Sequence, residues 1–234
     1  MKLSKKITSV IAVIALISLA YQVIAHDAWV EPGRGPVYRI LFGHKAPEPY
    51  PVKKVTSLKV IDADQHELNF ISLPSKDGLS VKVKQGLPAI FVLDFDNGYW
   101  VNAGGVMKNV RHSKMPSGTD PVHPYKYSKT IISWKKWMTK SFGQRIEFLP
   151  VNFDGVPKAG SKLRMKLLFD GKPLAGQMVE NNSSEKGPKT DADGMVEVTV
   201  LKGINRFATD YDIKQDDPDA KRLSLTAALV FLAK

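Results

Sequence analysis

Short apolar runs, cut at near-regular intervals by Gly, Asp, Asn and Pro, constrain this chain more than any other feature. In the second half, residues 163–169 read as a strand, Asp170-Gly171-Lys172-Pro173 as a turn and residues 174–180 as a second strand. After the polar stretch 181–188, Thr190-Asp191-Ala192-Asp193-Gly194 turns into a strand over 195–201, and further strands fall near 205–211 and 223–232. Evenly spaced short strands separated by turn residues predict a small antiparallel sandwich. Asp191 and Asp193 invite a calcium reading, but the twelve-position loop with its closing glutamate is absent. Asp-x-Asp-Gly is then ordinary turn chemistry.

The first half has the same character. Residues 37–42 alternate weakly and end in Phe42-Gly43-His44, followed by Lys45-Ala46-Pro47-Glu48-Pro49-Tyr50-Pro51. This is a strand emptying into a proline-stiffened loop that displays His44 and Glu48. Residues 55–61 and 68–73 flank Asp62-Ala63-Asp64-Gln65-His66-Glu67, which predicts a hairpin with His66 exposed at its tip. Residues 79–83 alternate with period two, and 89–95 form a nearly continuous apolar strand stopped by Asp96-Asn97-Gly98.

One stretch departs from the β pattern. Between Pro124 and Phe142, Tyr127, Ile131, Trp134 and Met138 recur at i, i+4, i+7 and i+11, with Lys126, Lys129, Lys135, Lys136 and Lys140 largely on other faces. The periodicity predicts an amphipathic helix over 124–142, opened by Pro124 and closed by Gly143. His123 stands just before it. The expected architecture is therefore mainly β: an N-terminal β domain over 26–143, the helix at its end, and a C-terminal sandwich over 144–234.

The residues before this fold read as a secretory leader. Lys2, Lys5 and Lys6 precede an apolar run over 7–19, and Val23-Ile24-Ala25 places small residues where a signal peptidase reads them. Cleavage after Ala25 makes His26 the mature N-terminus; a cut after Ala20 would start the chain at Tyr21. A free α-amine and the imidazole of the same residue can close a chelate ring on one cation, and both nitrogens can be unprotonated near neutral pH. The bland alternative is a surface or core histidine that happens to come first. There are no cysteines. That excludes disulfides and thiolate sites, so any metal must be held by nitrogen, oxygen or thioether groups.

The formal net charge is +11, but three of the lysines lie in the leader and the rest are dispersed. Nucleic-acid readers concentrate their basic residues on one face, so no nucleic-acid partner is expected. The apolar run near 223–232 is about half the length a membrane-spanning helix needs, and reads as a final buried strand.

Several segments together resemble the exported proteins of a periplasmic nickel- or cobalt-uptake-associated family. They are Ala25-His26-Asp27-Ala28-Trp29, Phe42-Gly43-His44, Asp96-Asn97-Gly98-Tyr99-Trp100-Val101, Tyr125-Lys126-Tyr127-Ser128-Lys129 and Ile146-Glu147-Phe148-Leu149-Pro150. Residues 167–176 and Thr190-Asp191-Ala192-Asp193-Gly194 complete the set. The resemblance implies periplasmic location, two β-rich domains, a second unit like the carboxypeptidase-regulatory or transthyretin-like sandwich, and an association with transition-metal transporters. The chain departs from the family pattern after Lys202-Gly203, where Ile204-Asn205-Arg206-Phe207 replaces an expected tryptophan.

Three functions are consistent with these observations. The first is a periplasmic Ni²⁺ or Co²⁺ binder, with Cu²⁺ as a competing ion, that hands metal to a membrane transporter; its ligands are His26 and His44, then Glu48 and His123. Trp29 would pack behind His26 as an apolar wall. The second is a metal-free sandwich that binds an envelope partner. The third is an enzyme resembling copper mono-oxygenases with an N-terminal histidine chelate, which ranks last because nothing marks a substrate surface. No catalytic residue is assigned.

Overall fold

A computed structural model describes residues 26–44 and 46–233. The leader expected over residues 1–25 lies outside the described residues. Among the described residues the strands form three sheets stacked as three layers.

The middle layer is the largest. It runs β13 (Glu180–Asn181), β15 (Gly203–Asp217), β16 (Ala220–Ala233), β9 (Thr119–Ile131), β6 (Pro88–Asp96) and β3 (Val55–Asp62), with the small pair β7 (Trp100–Ala103) and β8 (Val106–Lys108) joined to β9. Its pairings are antiparallel except between β9 and β16, which run parallel from Val122 beside Arg222 to Ile131 beside Phe231. A single hydrogen-bonded sheet thus combines strands from before and after residue 143.

Period-two alternation gives this sheet two apolar faces, and each is covered. Phe91, Leu93 and Phe95 of β6 pack on Ala28, Val30, Ile40, Phe42, Val81 and Val83. These belong to an outer sheet ordered β1 (Asp27–Pro32), β2 (Val37–Gly43), β5 (Gly78–Val83) and β4 (Phe70–Ser75). The intervening residues Ile90 and Val92 point the other way, with Leu225, Leu229 and Phe231 of β16. They meet Phe148, Met165, Leu167, Val196 and Val198 of a second outer sheet, made of β10 (Ile146–Val151), β11 (Lys162–Phe169), β12 (Lys172–Pro173) and β14 (Met195–Thr199). The fold is mainly β, as expected, and its two sandwiches share their middle layer.

The prominent helix over 124–142 does not form. Most of its first half is β9, and only a single 3-10 turn, Lys136–Thr139, follows. Residues 122–131 also alternate at period two, and β-branched and aromatic side chains suit a strand flanked on both sides. Lys126 and Lys129 are buried in this strand, not solvated. Lys129 Nζ donates to Glu147 and to the Phe148 carbonyl at 3.0 Å, which ties β9 to β10. Interstrand pairing with β6 and β16 overrides the helical spacing.

The 55–73 hairpin also differs. An Ile61–Glu67 bridge begins it, but β3 then pairs with β6 while β4 crosses to pair with β5. His66 is exposed as expected, 3.4 Å from Asp62. The strand expected over 174–180 does not form: β12 lies before it, in the expected turn, and of the expected strand only Glu180 is in a strand, as the first residue of β13. Asp191 behaves as turn chemistry requires: its carboxylate accepts the Asp193 and Met195 amide hydrogens.

Candidate functional site

Strands β1 and β2 determine where the first two candidate ligands go. They pair antiparallel from Pro32 beside Tyr38 to Asp27 beside Gly43. One residue beyond this last pair stand His26 on one side and His44 on the other. The register thus brings the backbones of the two histidines to the same end of β1 and β2, a proximity that sequence alone could not give.

Each ring is held by a carboxylate. His26 Nε2 lies 2.8 Å from Glu48 Oε1, and its ring stacks on Phe42 with centroids 5.2 Å apart and planes at 21°. Phe42 is itself stacked on Phe95 at 5.0 Å, so the support beneath His26 is part of the core. His44 Nε2 lies 3.4 Å from Glu185 Oε1. Glu48 reaches His26 because the loop doubles back: Gly43 bridges Pro47, and the Glu48 amide donates to the Phe42 carbonyl at 2.7 Å.

Behind the histidines, β1 crosses a polar strip on the middle sheet. Arg206 Nε sits 3.0 Å from Asp27 Oδ2, its guanidinium lies 4.4 Å from the centre of the Trp29 ring, and it donates to the His44 carbonyl. Trp29 therefore packs against Arg206, and Phe42 takes the place beside His26 that the sequence suggested for Trp29. Lys126 donates to Thr226 at 2.7 Å and stands 3.9 Å from Asp210, to which Thr226 also donates.

Burial pushes the Asp27 carboxyl up to about 6, with Asp210 adding to the rise and Arg206, Lys126 and His44 opposing it. Burial also raises Glu180, reinforced by Asp210, Asp27 and Glu185 and opposed by His44. Asp27, Glu180, Asp210 and Glu185 thus gather on the His44 side, with Arg206 and Lys126 as counter-charges, while Glu48 stands beside His26. Among the described residues no three His, Asp or Glu side chains converge as a metal cage.

His123 belongs elsewhere. Its Nε2 is 2.7 Å from Asp96 Oδ1, and the ring is buried between Tyr99 and Tyr125, at centroid distances of 4.0 and 4.5 Å. Alternation along β9 turns His123, Tyr125 and Lys129 toward one face, and Lys126 and Thr130 toward the face that carries β1. Thr130 Oγ1 accepts the Val30 amide hydrogen there. His123 therefore lies on the opposite side of the middle sheet from the His26 corner. Although burial opposes ionisation of Asp96, hydrogen bonds from His123 and the Gly98 amide outweigh it and hold the carboxyl below its ordinary value. His112 Nε2 lies 3.1 Å from the Gly118 carbonyl oxygen.

Residues 21–212 match the family described as a domain of unknown function, DUF4198. The chain belongs to that family. All the corner residues of this DUF4198 chain, from His26 to Asp210, fall within the match. An uncharacterized protein of Haemophilus influenzae is 26% identical over 214 residues, covering 90% of this chain and 91% of that protein. No solved structure gives a significant match.

Sequence reasoning missed Asp27, Phe42, Glu180, Glu185 and Arg206 as parts of the site. Asp27 and Phe42 lay inside quoted motifs, and Arg206 lay in the stretch that departs from the expected pattern. Only the pairing register shows what they share.

Proposed function

We propose that this protein captures a divalent transition metal in the periplasm, Ni²⁺ or Co²⁺ with Cu²⁺ as the competing ion, and passes it to a membrane uptake system. The supporting observation is the β1–β2 pairing, whose last pair, Asp27 beside Gly43, is flanked on each strand by a histidine that has a carboxylate beside it. Cleavage after Ala25 adds the α-amine of His26, giving a nitrogen-rich donor set of the kind that favours these ions over Mg²⁺ or Ca²⁺. The amine supplies what the side chains alone lack. His44 is the second ligand, and His123 takes no part. Among the described residues no helix is long and apolar enough to cross a membrane, and export in this reading rests on the leader.

The test is Ni²⁺ and Cu²⁺ titration of protein whose N-terminus is confirmed by intact mass as His26, beside a version carrying one extra N-terminal residue. Tight one-to-one binding that the extension abolishes supports the proposal. Equal binding by both moves the site away from the amine, and no binding by either removes metal capture as the function.

A further inference from the structure

A histidine that chelates through its own α-amine must use Nδ1. That nitrogen is joined to the amine through Cγ, Cβ and Cα, whereas Nε2 projects from the far edge of the ring and cannot close the same small ring. In neutral imidazole only one nitrogen carries hydrogen, so a metal on Nδ1 requires the proton on Nε2. In this structure Nε2 of His26 is the nitrogen beside a carboxylate, at 2.8 Å from Glu48 Oε1.

We propose that Glu48 is a positioning residue, not a metal ligand: it accepts the Nε2–H hydrogen bond of His26, fixes that tautomer, and with Phe42 sets the ring so that Nδ1 faces the metal. This rests on the capture reading above. A carboxylate that holds the outer nitrogen of a ligating histidine orients the ring and raises its basicity. Two contacts from different directions restrain His26: the Phe42 face at 5.2 Å and the Glu48 edge. Glu48 is in turn anchored by the hydrogen bond that its backbone amide donates to the Phe42 carbonyl, so ring support and hydrogen-bond acceptor share one short loop. The pair is half-exposed, with side-chain accessibilities of 33% and 52%. Such a pair adds little to folding stability, so its role as an orienting contact can be separated from any effect on the fold.

The test uses protein beginning at His26, with ¹⁵N-labelled histidine, as wild type, Glu48→Ala and Glu48→Gln. Without metal, long-range ¹H–¹⁵N NMR reports the tautomer of His26 directly. Wild type is expected to hold Nε2–H, Glu48→Gln to keep it through its amide oxygen, and Glu48→Ala to become a mixture. On Cu²⁺ titration, Glu48→Ala should bind about 10- to 100-fold more weakly, while electron paramagnetic resonance shows the same nitrogen donor set in all three proteins. An unchanged tautomer in Glu48→Ala overturns the proposal. So does a Cu²⁺ spectrum that loses an oxygen donor in that variant, because Glu48 is then a ligand. If wild type binds neither Cu²⁺ nor Ni²⁺, the capture reading falls and Glu48's metal-directed role falls with it, while the metal-free spectra still decide whether the tautomer is fixed.

Discussion

Asp27 and Arg206 meet at 3.0 Å where the first strand of the outer sheet crosses the middle layer. Their side chains are only 6% and 13% exposed, and the second carboxylate oxygen, Oδ1, is buried with no hydrogen-bond partner. The same guanidinium donates to the His44 carbonyl. One side chain from β15 therefore offsets the charge next to His26 and fixes the backbone of His44, so the geometry of the corner depends on it.

Arg206→Ala should leave the Asp27 carboxylate buried without its main counter-charge and lower stability by about 3–5 kcal/mol. Adding Asp27→Asn should recover part of that loss, since the stranded charge is removed along with its partner. Urea denaturation of the two single variants and the double variant measures both effects. Additive losses would show that the two residues act independently.

The Lys129–Glu147 pair is buried more deeply, at 2% and 1% exposure, and Glu147 also accepts from Ser141 and from the Phe142 amide. Lys129→Met should cost about 3–5 kcal/mol, because it leaves a buried carboxylate uncompensated. Lys129→Met with Glu147→Gln should be substantially more stable than Lys129→Met alone. Thermal unfolding of the set gives the coupling, and a double variant no better than the single one would place the stability in packing instead.

The strands of the C-terminal half were legible because their turns are written in Asp, Gly and Pro, and Asp191 makes the turn bonds those residues promise. The stretch 124–142 misled because Tyr127, Ile131, Trp134 and Met138 satisfy a helical period while residues 122–131 also satisfy period two; the strands on either side, which decide between them, are distant in sequence. His26 and His44 could be named as candidate ligands from sequence, but their arrival at the same end of β1 and β2 depends on register. His123, equally eligible by residue type, faces the other way for the same reason: alternation along β9 fixes its side only once pairing is known.

Asp219 predicts a local acid transition. The Ser113 hydroxyl and the Arg111 guanidinium, helped by the Ser113 amide, hold its carboxyl down at about 2. Arg111 contacts it at 2.7 Å and the Ser113 amide donates at 2.9 Å. The folded carboxyl has a lower pKa than the unfolded one, so its contribution is complete above about pH 4 and is lost as pH falls toward 2. The Ser113 amide resonance should titrate in that window by NMR, and Asp219→Asn should abolish the transition. An amide shift that stays flat between pH 4 and 2 would show that the carboxylate does not anchor residues 111–114.

Gly43 determines whether the candidate ligands keep their neighbours. Its φ of +149° lies where side-chain-bearing residues rarely go, and a Cβ there would stand 2.1 Å from the Ala46 carbonyl oxygen. Gly43→Ala must therefore open the loop that folds Glu48 back onto Phe42. The strain should cost about 1–3 kcal/mol, or roughly 2–4 °C in melting temperature per kcal/mol for a chain of this size. Because the loop carries Glu48 to His26, its opening should also raise hydrogen exchange at the Glu48 amide and release His26 from the Nε2–H tautomer in metal-free protein. Gly35→Ala, at a positive φ with open space around the added Cβ, should cost stability while leaving the Glu48 amide and the His26 tautomer unchanged, which separates lost backbone freedom from opening of this loop. If Gly43→Ala preserves both the Glu48 amide protection and the His26 tautomer, the loop does not position the corner.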